Sequence, residues 1–295
     1  MKSREHLQEG QVNISDDIIV HGKNQEEHDA RLESVIKRLG ECGLTLNEEK
    51  SQFNMDHLTF VRMVLSRNGI SCTEEKVRAV VEAREPTTAS EVRSFLGLVN
   101  YSGRFIRNLA TISEPLRHQT KKGVPFNFGV DQKKAFQGLK DKLSSATTLG
   151  YFDKDAPTQV VADASPVGLG AVLTQTQKDG PRVIGYASRS LSETEKRYSQ
   201  TEKEALALVW ACEKFHTYVY GTSCELITDH KPLEIIYGPK SKPCARIERW
   251  VLLTQPYKFK VKYAPGSLNI ADSLSREDHQ IGTGMRKKQK NMFDL

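Results

Sequence analysis

The sequence predicts a mixed α/β (α+β) fold, on three observations. Apolar runs that end in an acid, Val160-Val161-Ala162-Asp163 and Cys224-Glu-Leu-Ile-Thr-Asp229, read as strands, and the first turns back through Ser165-Pro166-Val167-Gly168 into Leu169-Gly170-Ala171-Val172-Leu173. A capping box, Ser199-Gln-Thr-Glu202, opens a stretch in which Ala205, Leu208, Cys212, Phe215 and Val219 recur at spacings of three and four, the buried stripe of a helix. Between Thr73 and Ala146 helix starts accumulate, at Thr73-Glu-Glu, Thr88-Ala-Ser-Glu91 and Asp131-Gln-Lys. With 295 residues the chain is long enough for roughly two or three domains with cores of their own.

Composition narrows the class. Apolar residues make up 38% and charged residues 27%, the balance of an ordinary soluble protein. Net charge is +6, spread evenly: residues 1–148 carry 22 basic and 20 acidic side chains and the remainder 21 and 17. A mild basic bias suits a polyanionic partner without a concentrated arm to hold one. Five cysteines, Cys42, Cys72, Cys212, Cys224 and Cys244, lie far apart without CxxC spacing, which argues against a zinc module or a disulfide framework. No apolar run reaches membrane-spanning length and no signal peptide opens the chain, so the expectation is a soluble, intracellular protein, cytoplasmic or nuclear, with no membrane partner.

In chain order, Val12–Val20 reads as an apolar hairpin with Asp16 and Asp17 at its tip, and a solvated turn is one explanation of such a pair. Gln25–Cys42 is a helix with Leu32, Val35, Ile36 and Leu39 on one face, and His57–Ile70 is a second hairpin. In the helical stretch that follows, Phe95, Leu96, Val99, Phe105 and Ile106 are core candidates. Arg104, Arg107, Lys121 and Lys122 are either phosphate contacts or solvated charges. Asp163 ends a strand flanked by apolar residues, where an ionised carboxylate either caps its own turn or serves a divalent cation. Glu204 lies one turn into the capped helix, Asp229 ends the next strand, and Asp272 lies on the first turn of a helix after Gly266. Acids at two strand ends and two helix starts can converge on one point.

Strand acid, helix acid, strand acid and helix-start acid in that order resemble ribonuclease H. More narrowly, ADAS…GLGAVL, RYSQTEKEALALVWACEKFHTYVYG, ITDHKPL and NIADSLSR resemble the ribonuclease H domain of gypsy-type long-terminal-repeat retrotransposons, over about Leu149–Arg276. Asp16-Asp17 followed by IIVHGKNQEEHDARLESVIKRLGECGLTLNEEKSQF resembles the catalytic hairpin and following helix of the same elements' reverse transcriptase, and VRSFLGLVNYSGRFIRNLATISEPL resembles its thumb and connection. The resemblance implies four segments: 1–72, a partial polymerase palm; 73–148, a mostly helical thumb or connection; 149–276, a ribonuclease H-like mixed five-stranded sheet with flanking helices; and 277–295, a disordered basic tail. The sheet strands are expected near 158–163, 168–175, 182–187, 223–229 and 257–263.

What the resemblance implies chemically is endonucleolytic cleavage of the RNA strand of an RNA–DNA hybrid, leaving 3′-hydroxyl and 5′-phosphate ends. Asp163, Glu204, Asp229 and Asp272 would be the catalytic ligands of two Mg2+ ions, with Mn2+ as a substitute, and Ser165, Gln200 and Thr201 would touch the hybrid. Carboxylate oxygens are the right ligands for hard cations, and four clustered acids are tolerable when a cation neutralises them. Asp16 and Asp17 would be a remnant polymerase pair. A third carboxylate and a template-binding half ordinarily precede them, and fifteen residues precede them here, so the expectation is no polymerase activity from this chain alone. The missing polymerase half or other polyprotein products would then be partners.

Two positions depart from the family's pattern: Ile14 stands where an aromatic usually precedes the paired acids, and Arg62 where a glycine is common. The loop Tyr263-Ala-Pro265-Gly266-Ser267 lacks the histidine that cellular and some retroviral ribonucleases H carry before the last acid, as gypsy-type relatives generally do. In the tail, Arg286-Lys-Lys-Gln-Lys290 reads either as a nuclear address or as a solvated cluster. A second reading of the whole is a non-enzymatic, decayed or co-opted retroelement fragment that binds nucleic acid or a protein partner.

Overall fold

The computed structural model describes residues 11–14, 17–238, 241 and 243–265. They divide into two compact units between Met55 and Asp56. The first contains an antiparallel hairpin, β1 (Gln11–Ile14) and β2 (Asp17–Val20), and helix α1 (Gln25–Glu41). Asn24 caps α1, its side chain accepting from the Glu27 amide at 2.8 Å. The apolar stripe of α1 stays half-buried at best, with Ile36 46% exposed.

The second unit opens on an antiparallel meander, β3 (His57–Phe60), β4 (Met63–Ser66) and β5 (Gly69–Cys72). The β3–β4 connection is the pair Val61-Arg62, both with positive φ, 46° and 60°. Positive φ at both central positions is the type I′ two-residue hairpin turn, which glycine or asparagine adopts without strain. A β-branched Val and an Arg do not. Gly69 is obligatory for a different reason: its φ is 129° and the Leu149 carbonyl lies where a Cβ would stand. Ile70 and Leu149 exchange both backbone hydrogen bonds at 2.8 Å, and the Gly150 amide continues to Val183 at 2.7 Å.

Helices α2 (Glu74–Val81), α3 (Ala89–Tyr101), α4 (Leu109–Ile112), α5 (Glu114–His118) and α6 (Val130–Ser144) follow. Val92, Phe95, Leu96, Val99, Leu116, Phe136, Leu139 and Leu143 form their common core. All five core candidates of this stretch are buried. The caps differ in detail from expectation. Thr88 accepts from the Glu91 amide at the start of α3, and the Glu91 carboxylate accepts from the amide and hydroxyl of Thr87. Gly129, not Asp131, caps α6, with Gln132 accepting its amide at 3.1 Å.

The five-stranded sheet has the order β10-β9-β6-β7-β8. β6 (Thr158–Ala164), β7 (Gly168–Gln177) and β8 (Gly180–Ser190) run antiparallel, while β9 (Ser223–Thr228) lies parallel to β6 and to β10 (Lys258–Tyr263). Helices α7 (Gln200–Lys214), α8 (His216–Val219), α9 (Pro232–Ile236) and α10 (Ala245–Thr254) complete it. β6 is buried or half-buried at every position because both its faces are covered. Val160, Ala162 and Ala164 join the α7 stripe, Ala205, Leu208 and Cys212, in one core; Val161 joins Val172, Ile227, Phe105 and Leu149 in another. Side chains of alternate residues point to opposite faces of a strand, which is why neighbours enter different cores. The predicted strands stand within one to three residues of the observed ones at each end.

Candidate active site

Strand register brings two of the acids together. β6 and β9 pair in parallel as Thr158↔Cys224 through Val161↔Ile227, a constant offset that carried two residues further aligns Asp163 with Asp229. On its other side Asp163 faces Gly170 of β7. Glu204 arrives from α7, whose start is fixed by the capping box: Ser199 accepts from the Glu202 amide and Glu202 accepts from the Ser199 amide at 2.9 Å. Packing of the α7 stripe on β6 then sets how deep Glu204 sits. Each of the three acids offers a carboxylate oxygen, and these lie within 4.8 Å of one another.

The burial gradient across the cluster is steep. Glu204 is 3% exposed, Asp163 half-buried and Asp229 exposed. Glu204 Oε1 accepts from Gln200 Nε2 at 2.6 Å, whereas Oε2 is buried without a hydrogen-bond partner among the described residues. Burial first, then the charges of Asp163 and Asp229, push the Glu204 carboxyl up to about 8, against the opposing pull of its hydrogen bonds from Gln200 and the Ala164 backbone. A buried carboxylate oxygen with no donor, in a set made wholly of hard oxygen ligands, is what a divalent cation fits.

The expected hybrid contacts surround this cluster. Gln200 bridges Glu204 and the Ala164 carbonyl, at 2.6 and 3.1 Å. Thr201 Oγ1 lies 2.9 Å from His230 Nε2, which ties the start of α7 to the residue after Asp229. Ser165 closes the β6–β7 turn through Gly168 and shares a 2.9 Å hydrogen bond with Thr111. The basic candidates lie elsewhere in the helical layer: Arg104 reaches the Met63 sulfur at 3.7 Å, and Arg107 lines a small cleft with Tyr186 and Lys142. Lys121 pairs with Glu193 at 3.2 Å, and Lys122 is exposed. Asp17 is exposed at the start of β2; Asp16 and Asp272 lie outside the described residues.

Sequence reading missed the groups that hold the acids. Arg246 of α10 pairs with Glu202 at 2.5 Å while its guanidinium lies over the Tyr198 ring at 4.3 Å, anchoring the cap of α7. Such partners are separated by tens of residues and leave no local periodicity. No helix among the described residues is long and apolar enough to cross a membrane.

Residues 153–257 match the RNase H-like domain found in reverse transcriptase. The chain is 34% identical over 278 residues to the retrovirus-related Pol polyprotein from transposon gypsy of Drosophila melanogaster, covering 89% of this chain and 26% of that protein. It is 33% identical over 291 residues to the corresponding polyprotein from transposon opus of the same fly, covering 94% and 29%. The Transposon Tf2-3 polyprotein of Schizosaccharomyces pombe is 33% identical over 266 residues, covering 88% and 20%. The chain thus spans less than a third of the length of these relatives. Among solved structures, the foamy viral protease-reverse transcriptase dRH in complex with double-stranded DNA superimposes with a TM-score of 0.73 at 24% identity, over 87% of this chain and 46% of that one. The same viral protein in complex with RNA/DNA hybrid gives 0.72 at 24%, over 89% and 36%. The fold is therefore shared.

Proposed function

We propose, on the premise that this chain carries an RNase H-like domain of the reverse-transcriptase type and is related over most of its length to retrotransposon Pol polyproteins, that it hydrolyses the RNA strand of RNA–DNA hybrids. The observation that carries the proposal is the Glu204 carboxylate, buried between Asp163 and Asp229 with one oxygen left without a donor. Three carboxyl groups this close repel one another when ionised, and the fold keeps them together through core packing that has no need of acids. The foamy viral complexes with double-stranded DNA and with RNA/DNA hybrid support a nucleic-acid partner.

In this reading Asp163, Glu204 and Asp229, with Asp272 as a fourth, hold two magnesium ions, or manganese in their place. When bound, such a pair supplies the Lewis acidity that activates a water and steadies the leaving oxygen of an in-line displacement. Gln200 holds Glu204 by Oε1, which leaves Oε2 for the ligand role. Ser165, Gln200 and Thr201 would meet the hybrid backbone, and shape with 2′-hydroxyl contacts rather than base sequence would select it. Residues 1–72 and 73–148 are read as palm and thumb or connection, with Asp16 and Asp17 as the polymerase pair and Arg104 and Arg107 as backbone contacts. The test is cleavage of an end-labelled hybrid in magnesium. Products with 3′-hydroxyl and 5′-phosphate ends, abolished by chelator and by Asp163→Asn, are expected. An intact hybrid would give way to the non-enzymatic reading.

A further inference from the structure

The turn that follows Asp163 is not free-standing: the segment that leads into α4 is seated on it. Gly170, the cross-strand partner of Asp163, is where this seat is tightest, since a Cβ added there would overlap the Asn108 amide oxygen. Asn108 itself is held in the left-handed region at φ 53°. Two residues on, the Ala110 amide donates to Ser188 Oγ at 2.9 Å, and Ser188 Oγ donates in turn to the Leu169 carbonyl at 3.1 Å. Thr111 Oγ1 then shares its 2.9 Å hydrogen bond with Ser165 Oγ, and both Thr111 Oγ1 and the Ala110 methyl lie 3.3 Å from where a Cβ on Gly168 would be. Neighbouring residues of this segment thus grip β7, its neighbour β8 and the turn that joins β6 to β7.

We infer that Asn108 and Thr111 are positioning residues for the acid cluster: they fix the β6–β7 hairpin, and through it the Asp163 carboxylate, against Glu204 and Asp229. The inference rests on the function proposed above. Its physical basis is that Asp163 and Asp229 lie beyond the last ladder pair of β6 and β9, Val161 with Ile227, so the end of β6 is held on the β7 side alone, through Asp163 with Gly170 and Ala164 with Leu169. Repulsion among clustered carboxylates pushes that end outward. The α4 segment opposes the push from the β7 side, with small residues at Gly168 and Gly170 allowing the close approach.

The experiment uses the full chain and three variants. Thr111→Val removes the hydroxyl at constant shape, Thr111→Ser restores it, and Gly170→Ala displaces the Asn108 side chain. Amide hydrogen exchange over residues 163–170 is measured in chelator, and the magnesium concentration for half-maximal hybrid cleavage is measured alongside KM for the hybrid. Losing one partly exposed hydrogen bond should speed exchange and raise the magnesium requirement by about 3- to 10-fold in Thr111→Val and Gly170→Ala. Hybrid KM should be unchanged and Thr111→Ser should behave as the parent. Unaltered exchange in both disruptive variants overturns the inference, and so does faster exchange with an unaltered magnesium requirement in an active parent. A parent that leaves hybrids uncut while its exchange responds to Thr111→Val as expected counts against the proposed function and leaves the interlock standing.

Discussion

A carboxylate oxygen of Glu204 on α7 lies within 4.8 Å of one on Asp163 at the end of β6, although the elements that bring them there are joined by apolar packing. Val160 and Leu208, each fully buried, belong to that joint, and burying side chains of this size stabilises by about 1.5–3 kcal/mol apiece. The core therefore outweighs the repulsion it imposes. Among the described residues Glu204 Oε2 is buried without a hydrogen-bond partner.

The Val61-Arg62 turn is strained in a way that substitution can relieve. Left-handed backbone costs an L-residue roughly 1–2 kcal/mol, more for a β-branched one, and Asn-Gly adopts it readily. The double variant Val61→Asn, Arg62→Gly should raise stability by about 1–2 kcal/mol in urea melts. It keeps the Val61 carbonyl that accepts from Tyr101 at 3.0 Å, because that group is backbone. A neutral or destabilising result would place the strain elsewhere.

The Arg189–Glu195 pair gives a pH signature. Two hydrogen bonds from Arg189, at 2.8 and 2.9 Å, lead the causes that hold Glu195 down at about 2. A depressed carboxyl stabilises the fold above its ordinary value of 4.5, and that contribution is lost as pH falls toward about 2. After allowance for solvent screening, Glu195→Gln should cost about 1 kcal/mol at neutral pH. Its urea midpoint should converge on that of the parent between about pH 5 and pH 2. A constant gap would mean that the lost shape, not the charge, matters.

Thiol chemistry should follow burial. Burial pushes Cys212 up to about 12 and Cys224 up to about 11, whereas Cys42 and Cys244 are exposed. In the native chain a maleimide should label Cys42 and Cys244 quickly and the buried pair about a hundredfold or more slowly. Peptide mapping that finds Cys212 labelled early would show that α7 opens readily from β9.

These outcomes bear on what was legible from sequence. The capping box at Ser199, the α7 stripe and the acid-terminated strands are local signals, and each appears in the structure where the sequence puts it. Chain order allowed Asp163, Glu204 and Asp229 to converge, and it was the resemblance to ribonuclease H that implied they would. No such signal pointed to the supports. Arg246 on Glu202, His230 on Thr201 and Thr111 on Ser165 are contacts between elements, invisible to periodicity. The cap at Asp131 failed because α6 begins earlier, at Val130 after Gly129, whose amide donates to Gln132 Oε1, and a glycine cap carries no side-chain signature.

The last prediction separates a metal site from a structural acid by sign. Glu204, raised to about 8, keeps its proton in the folded chain across a range where the unfolded chain has lost it. Stability must then fall as pH rises from about 4.5 to about 8, with the full penalty above that. In chelator at pH 8, Glu204→Gln should therefore be more stable than the parent, by about 2 kcal/mol, and indistinguishable from it below pH 4.5. The introduced amide retains an acceptor for Gln200 and offers its protons to the neighbouring acids, so no hydrogen bond need be lost. Magnesium should reverse the order. By mass action a ligand at about a hundred times its Kd adds about 2.7 kcal/mol to the parent, and the variant, short of one ligand charge, should gain much less. Thermal melts with and without magnesium across this pH range measure both signs. If Glu204→Gln is the less stable protein in chelator at every pH, Glu204 is a structural hydrogen-bonding group, and the metal-dependent reading of the cluster fails with it.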